Sequence, residues 1–125
     1  HGHDAGDQVL RMVAARIKET GSGGRAFRYG GEEFTIVFAG KKKDEVLAPL
    51  DDLRRRIAAS RFQLRRKDRR LASNKATRGA RKVKVTISTG VANRNDRHPV
   101  PHDVIKSADM ALYRAKKQGR NRVCT

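Results

Sequence analysis

The sequence predicts a single α+β domain, an antiparallel-rich central sheet flanked by helices. Two patterns and a length carry that prediction. Three segments repeat apolar residues at helical spacing, and short runs between them alternate apolar with polar residues. The resulting order is α-ββ-α-ββ-α with a short final strand, and 125 residues suit one modest core.

The elements follow in order. In 6–21, GDQVLRMVAARIKETG, the residues Val9, Leu10, Val13, Ala14 and Ile17 share one helical face, and Gly21 is placed to stop the helix. RAFRYGGEEFTIVF reads as two strands joined at Gly30-Gly31, with Phe34, Ile36 and Phe38 on one face of the second. DEVLAPLDDLRRRIAAS is a helix with Val46, Leu47, Leu50, Leu53 and Ile57 inward; Pro49 predicts a kink or a late start. RFQL and KVKVTISTGVA are strands, and Val83, Val85 and Ile87 alternate cleanly in the second. PHDVIKSADMALYRAKKQG is a helix with Val104, Ile105, Ala108, Leu112 and Ala115 inward and Gly119 closing it; NRVCT makes the last strand. Leu112 and Tyr113 read as packing residues.

Charge narrows the function classes. The net charge of +17 attracts polyanions such as nucleotides, nucleic acid or an acidic membrane surface. No apolar run is long enough to span a bilayer, and the polar, Gly-rich start does not resemble a secretory signal. The one cysteine, Cys124, leaves no intrachain disulfide and fits a reducing cytoplasm. Residues 65–82 are basic and lack apolar periodicity, so they read as a loop, either solvated or in electrostatic contact with a polyanion. No aromatic lies between Gln63 and Lys82, which argues against base stacking there. His1 and His3 have no further ligand at metal-site spacing.

RYGGEEF, 28–34, is the chemically pointed stretch. Glycine lets a ligand approach the main chain, and adjacent carboxylates at a hairpin tip suit Mg²⁺, which takes one or two carboxylates together with substrate phosphates. A tight hairpin with solvated glutamates is the plainer reading of those residues alone.

GHDAGDQVL, RYGGEEF, VTISTGVA and ADMALYRAKKQGRNRV occur together in that order, and the set resembles the GGDEF domain, the catalytic domain of bacterial diguanylate cyclases. The resemblance covers nearly the whole chain. It implies a ferredoxin-like fold related to the polymerase palm and to nucleotide cyclases. It also implies an enzyme that joins two GTP into cyclic di-GMP, releases pyrophosphate and acts as a homodimer with one GTP per subunit. Glu32 matches the metal-binding carboxylate, which also assists deprotonation of the attacking hydroxyl; Glu33 is the second active-site carboxylate. Gly30 and Gly31 match the turn against the nucleotide, and Asp7 the residue that recognises guanine, whose N1–H and N2–H₂ edge offers two donors to a carboxylate. Lys116 and Arg120 match the pair that holds the triphosphate; at i and i+4 they can share a helix face. Each has a plainer use: Asp7 suits the first turn of a helix, and Lys116 and Arg120 suit a helix C-terminus. The implied cofactor is Mg²⁺, with Mn²⁺ as an alternative. The implied context is a cytoplasmic enzyme, or the cytoplasmic part of a membrane-bound one, under an upstream sensor or receiver domain. No specific nucleic acid is implied.

Two departures modify these expectations. The family has a strand ahead of GHxxGD that bears a second metal-binding aspartate and an asparagine that contacts guanine, and this chain begins at His1. The resemblance then implies a domain incomplete at its N-terminus and a weak or inactive cyclase unless that strand is restored. The R-x-x-D product-inhibition site of many relatives is replaced by Gly21 and Gly24, so no inhibition through that site is expected. The readings in play are a diguanylate cyclase, a catalytically impaired GGDEF module that binds GTP or a partner, and a basic nucleic-acid-binding protein.

Overall fold

The computed structural model describes residues 2–20, 23–64 and 81–125. Among them, three helices alternate with short strands. These are α1 (Gly2–Lys18), β1 (Arg25–Gly30), β2 (Glu33–Val37), α2 (Lys43–Ala59), β3 (Phe62–Leu64), β4 (Arg81–Val83), β5 (Thr89–Gly90), α3 (Pro101–Lys117) and β6 (Val123–Cys124). The α+β class holds. The strands form three two-stranded ladders rather than one continuous sheet: β1–β2 and β3–β4 are antiparallel, β5–β6 parallel.

Segment 82–92, expected as one strand, is divided. Lys84 and Thr86 are exposed while Val85 and Ile87 pack on the core, yet among the described residues no ladder pairs 84–88. Alternation reports which face of a strand is buried; a ladder also needs a neighbour about 4.8 Å away. Arg81 and Lys82, expected in the basic loop, belong to β4, and the rest of that segment, 65–80, lies outside the described residues.

The core has two lobes. Val13 and Ile17 of α1, Leu53 and Ile57 of α2 and Phe62 of β3 form the first, with Val9, Phe34, Ile36, Val83, Val85 and Ile87 packed against it. Val46, Leu50 and Val91 form the second, and Ile36 touches both. The inward face read for α2 is therefore the buried one. The late start that Pro49 predicted does not occur: the helix begins at Lys43 and carries Pro49 within it. The ring removes one hydrogen bond near the helix start, while burial of Val46, Leu50, Leu53 and Ile57 anchors the helix on both sides of it. Ile57 is fully buried. Ile57→Ala is expected to cost about 3 kcal/mol, read as a lowered urea midpoint with unchanged slope.

Helix α3 departs from its predicted face. Ile105, expected inward, is 42% exposed, and Ala111 is buried beside Ala115. Tyr113, read as a packing residue, is 62% exposed, with Lys117 Nζ 5.5 Å from its ring centre. Gly90 of β5 lies directly against the α3 backbone at Ala108 and Leu112, so any side chain at position 90 would push the strand and helix apart. Gly119, with φ +114, follows the helix as expected.

Candidate active site

The β1–β2 hairpin builds the first part of the site. Arg28 pairs with Phe34, the register then shifts, and Gly30 pairs with Glu33, leaving Gly31 and Glu32 as the turn. Gly31 has φ +25, outside the range that side-chain-bearing residues favour. No atom lies within 4 Å of where a Cβ would stand on Gly30 or Gly31, so a ligand can reach this main chain. Arg28 Nη2 donates to Gly31 O at 2.9 Å and braces the turn. Arg28 was not singled out from the sequence; a cation two residues before a Gly-Gly turn was the available signal. Glu32 and Glu33 are exposed at the tip.

The C-terminal end of α3 supplies the second part. Lys116 Nζ lies 3.9 Å from Glu33 Oε1, with both side chains 47% exposed. A pair this open contributes little to stability and is easily exchanged for a ligand. Arg120 does not share the helix face of Lys116. The helix ends at Lys117, and Gly119, Arg120 and Asn121 follow with positive φ of +114, +63 and +48. The i, i+4 argument fails because the turn at Gly119 intervenes.

Asp7 lies on α1. The helix begins at Gly2, so Asp7 is beyond the first turn, where a helix dipole acts most strongly. Among the described residues, no hydrogen bond or ion pair engages Asp7 or Glu32, and none joins Asp7 to the hairpin carboxylates. One turn further along, Leu10 and Arg11 line a cleft of about 220 Å³ between α1 and the hairpin. Its other walls include Ala14, Phe27 and Phe34, with Lys18 and Arg28 as further cations. Leu10, read as a core residue, is only half-buried and faces this cleft. An apolar cleft ringed by cations suits a planar base joined to phosphates.

Among the described residues, no group of three or more His, Cys, Asp or Glu side chains is arranged to hold a metal. The hairpin tip offers carboxylate oxygens, the donor chemistry that a hard divalent cation takes. His1 and the side chain of His3 lie outside what the structure describes.

Behind the site, Arg54 Nε donates to Asp51 Oδ1 at 2.7 Å, and Arg55 Nη2 lies 2.9 Å from Asp51 Oδ2. The hydrogen bond from Arg54 holds the Asp51 carboxyl below its ordinary value of 3.8, with the charges of Arg54 and Arg55 adding to it and partial burial opposing it. A carboxylate with a depressed folded-state pKa stabilises the fold fully above about pH 5, where the unfolded chain is also ionised. That contribution is lost as pH falls through the folded-state value, below 3.8. Asp51→Asn is therefore expected to lower the urea midpoint at neutral pH and to converge with the parent protein at strongly acidic pH, as a paired denaturation series would show.

Known proteins resemble this chain along nearly its whole length. The family model for "Diguanylate cyclase, GGDEF domain" matches residues 1–122. The diguanylate cyclase DosC of Escherichia coli K12 is 36% identical over 123 residues, which is 98% of this chain and 24% of that protein. The response regulator PleD of Caulobacter vibrioides is 33% identical over 126 residues, 98% of this chain and 24% of that protein. The chain thus spans about a quarter of the length of these curated relatives. The crystal structure of the GGDEF domain of DgcB from Caulobacter crescentus, in complex with c-di-GMP, superposes with TM-score 0.80 at 33% identity, covering 98% of this chain and 66% of that one. A hairpin tip with paired carboxylates, a lysine brought against it and a sequence match over nearly the whole length converge on one conclusion: this chain belongs to the GGDEF family of diguanylate cyclase domains.

Proposed function

We propose that the chain is the catalytic domain of a diguanylate cyclase, which condenses two GTP into cyclic di-GMP and releases pyrophosphate. The observation that carries this reading is the approach of Lys116 Nζ to Glu33 Oε1 at 3.9 Å, which puts a phosphate-binding cation beside the hairpin carboxylates. The 3′-hydroxyl oxygen of one GTP forms a bond to the α-phosphorus of another, and the bond from that phosphorus to the pyrophosphate leaving group breaks. Glu32 accepts the hydroxyl proton. Lys116 and Arg120 hold the triphosphate, Asp7 accepts from the guanine edge, and Gly30 and Gly31 leave room for the phosphates. Glu32 would hold Mg²⁺, with Mn²⁺ as a substitute, beside Glu33 as the second active-site carboxylate, and the ion would neutralise phosphate charge when bound.

Each subunit holds one GTP, so two subunits must face each other. The name of PleD, a response regulator, supports control by an upstream receiver or sensor domain. Among the described residues no helix is long and apolar enough to cross a membrane. A GTP-consuming signalling domain belongs in the cytoplasm, alone or as the cytoplasmic part of a membrane-bound protein. Segment 84–88 has no ladder partner among the described residues, which leaves room for a further strand beside it. Position 24 supports the absence of an R-x-x-D product site. A Cβ on Gly24 would stand 2.6 Å from Phe38 Cε1 and 2.7 Å from Ile36 Cγ2, while Gly21 lies outside the described residues.

The test is turnover of GTP with Mg²⁺ by the full-length protein, following pyrophosphate and cyclic di-GMP across protein concentrations. Product is expected, at a rate that rises faster than linearly with protein. A second reading, a module that binds GTP without turning it over, is favoured by the lack of a third carboxylate beside Glu32 and Glu33 among the described residues. Tight GTP binding without product at any protein concentration would establish that reading instead.

A further inference from the structure

The loop that carries Arg120 adopts an uncommon backbone. Gly119, Arg120 and Asn121 have φ of +114, +63 and +48 in succession. Glycine accepts such angles readily and asparagine tolerates them, but an arginine there is unusual. Backbone of this kind persists where its surroundings over-determine it.

Here they do. The Arg120 N–H donates to Ala115 O at 2.9 Å, and Arg122 Nε donates to Arg120 O at 3.1 Å. The third restraint comes from a different element. Arg54, on α2, donates from Nη1 to Asn121 Oδ1 at 3.1 Å and to Asn121 O at 3.4 Å. Its Nε is held by Asp51 Oδ1 at 2.7 Å, and its side chain is only 19% exposed. A guanidinium is a rigid fork, so fixing one edge on Asp51 fixes where the other edge points. One side of the fork grips α2 and the other grips the residue next to Arg120.

We propose that Arg54, oriented by Asp51, is a positioning residue for nucleotide binding: it clamps Asn121 and thereby holds Arg120 where the triphosphate is received. The inference rests on the GTP reading above. An ion pair within one helix contributes little stability by itself. The reach from that pair to the loop, between residues far apart in sequence, is what calls for an explanation, and the explanation is geometric. Asp51 and Arg54 act on the ligand only through Arg120.

The test uses the full-length protein, with α,β-methylene GTP and GMP as probes in calorimetry and amide hydrogen exchange on the ligand-free protein. Arg54→Ala is expected to weaken binding of the triphosphate about tenfold while leaving GMP unaffected, because only the triphosphate reaches Arg120. Arg54→Lys restores part of the loss, since an ammonium cannot grip both sides. In an Arg120→Ala background, Arg54→Ala adds nothing further. The Arg120 amide exchanges faster in Arg54→Ala than in the parent. Equal weakening toward both probes, or full additivity with Arg120→Ala, overturns the proposal and leaves Arg54 a structural residue. If the parent protein binds neither probe while Arg120 protection still depends on Arg54, the nucleotide reading falls and the clamp on the loop stands.

Discussion

Glu32→Gln is expected to lower cyclic di-GMP formation by about a hundredfold or more while changing GTP affinity by no more than about twofold. The substitution preserves size and hairpin geometry, because Glu32 is an exposed turn residue with no hydrogen bond or ion pair among the described residues. In the proposed mechanism it removes the charge that a divalent cation needs and the base that accepts the hydroxyl proton. That mechanism assigns ground-state binding elsewhere, to Lys116, Arg120 and Asp7. The expected signature is therefore a loss in kcat with KM nearly unchanged, measured by single-turnover pyrophosphate release and by equilibrium binding of a GTP analogue. A parallel loss of affinity would mean that Glu32 acts mainly in substrate binding.

Gly90→Ala is expected to destabilise by about 3 kcal/mol, as much as emptying the core at Ile57 and a large share of what a domain of this size has. A Cβ there would meet Ala108 O and Leu112 N and would stand 2.9 Å from Leu112 Cα. All three are helix backbone, so no rotamer change can relieve the contact. Gly90 also lies between two ladder bonds, Thr89 N to Arg122 O and Val91 N to Cys124 O, both 2.9 Å. The strand cannot retreat without breaking them, and α3 cannot retreat without moving Lys116. Urea denaturation should show the loss, with weaker GTP binding in the molecules that remain folded. Gly6→Ala is the matched contrast. Gly6 lies in α1 with nothing within 4 Å of its Cβ position, so that change is expected to stabilise by about 1 kcal/mol. Equal effects at both positions would mean that α3 and β5 separate more readily than their contact implies.

The sequence by itself determined the helices, the hairpin and the carboxylates at its tip. Apolar spacing in α2 marked Val46, Leu50, Leu53 and Ile57, and these residues are buried. Gly-Gly before Glu-Glu marked a turn, and Gly31 takes a positive φ in it. Period and turn chemistry are local, so they can be read from neighbouring residues alone. Tertiary structure decided the rest. Segment 84–88 alternates like a strand without pairing among the described residues, because edges depend on neighbours and not on period. Ile105 is exposed and Ala111 buried, because which side of α3 is covered depends on where β5 meets it, at Ala108 and Leu112, and not on apolar spacing alone. Arg120 leaves the helix face, and Arg54 becomes its support, through contacts between residues distant in the chain. Spacing along a sequence cannot encode such contacts; the packing of α2 and α3 around the β5–β6 ladder creates them.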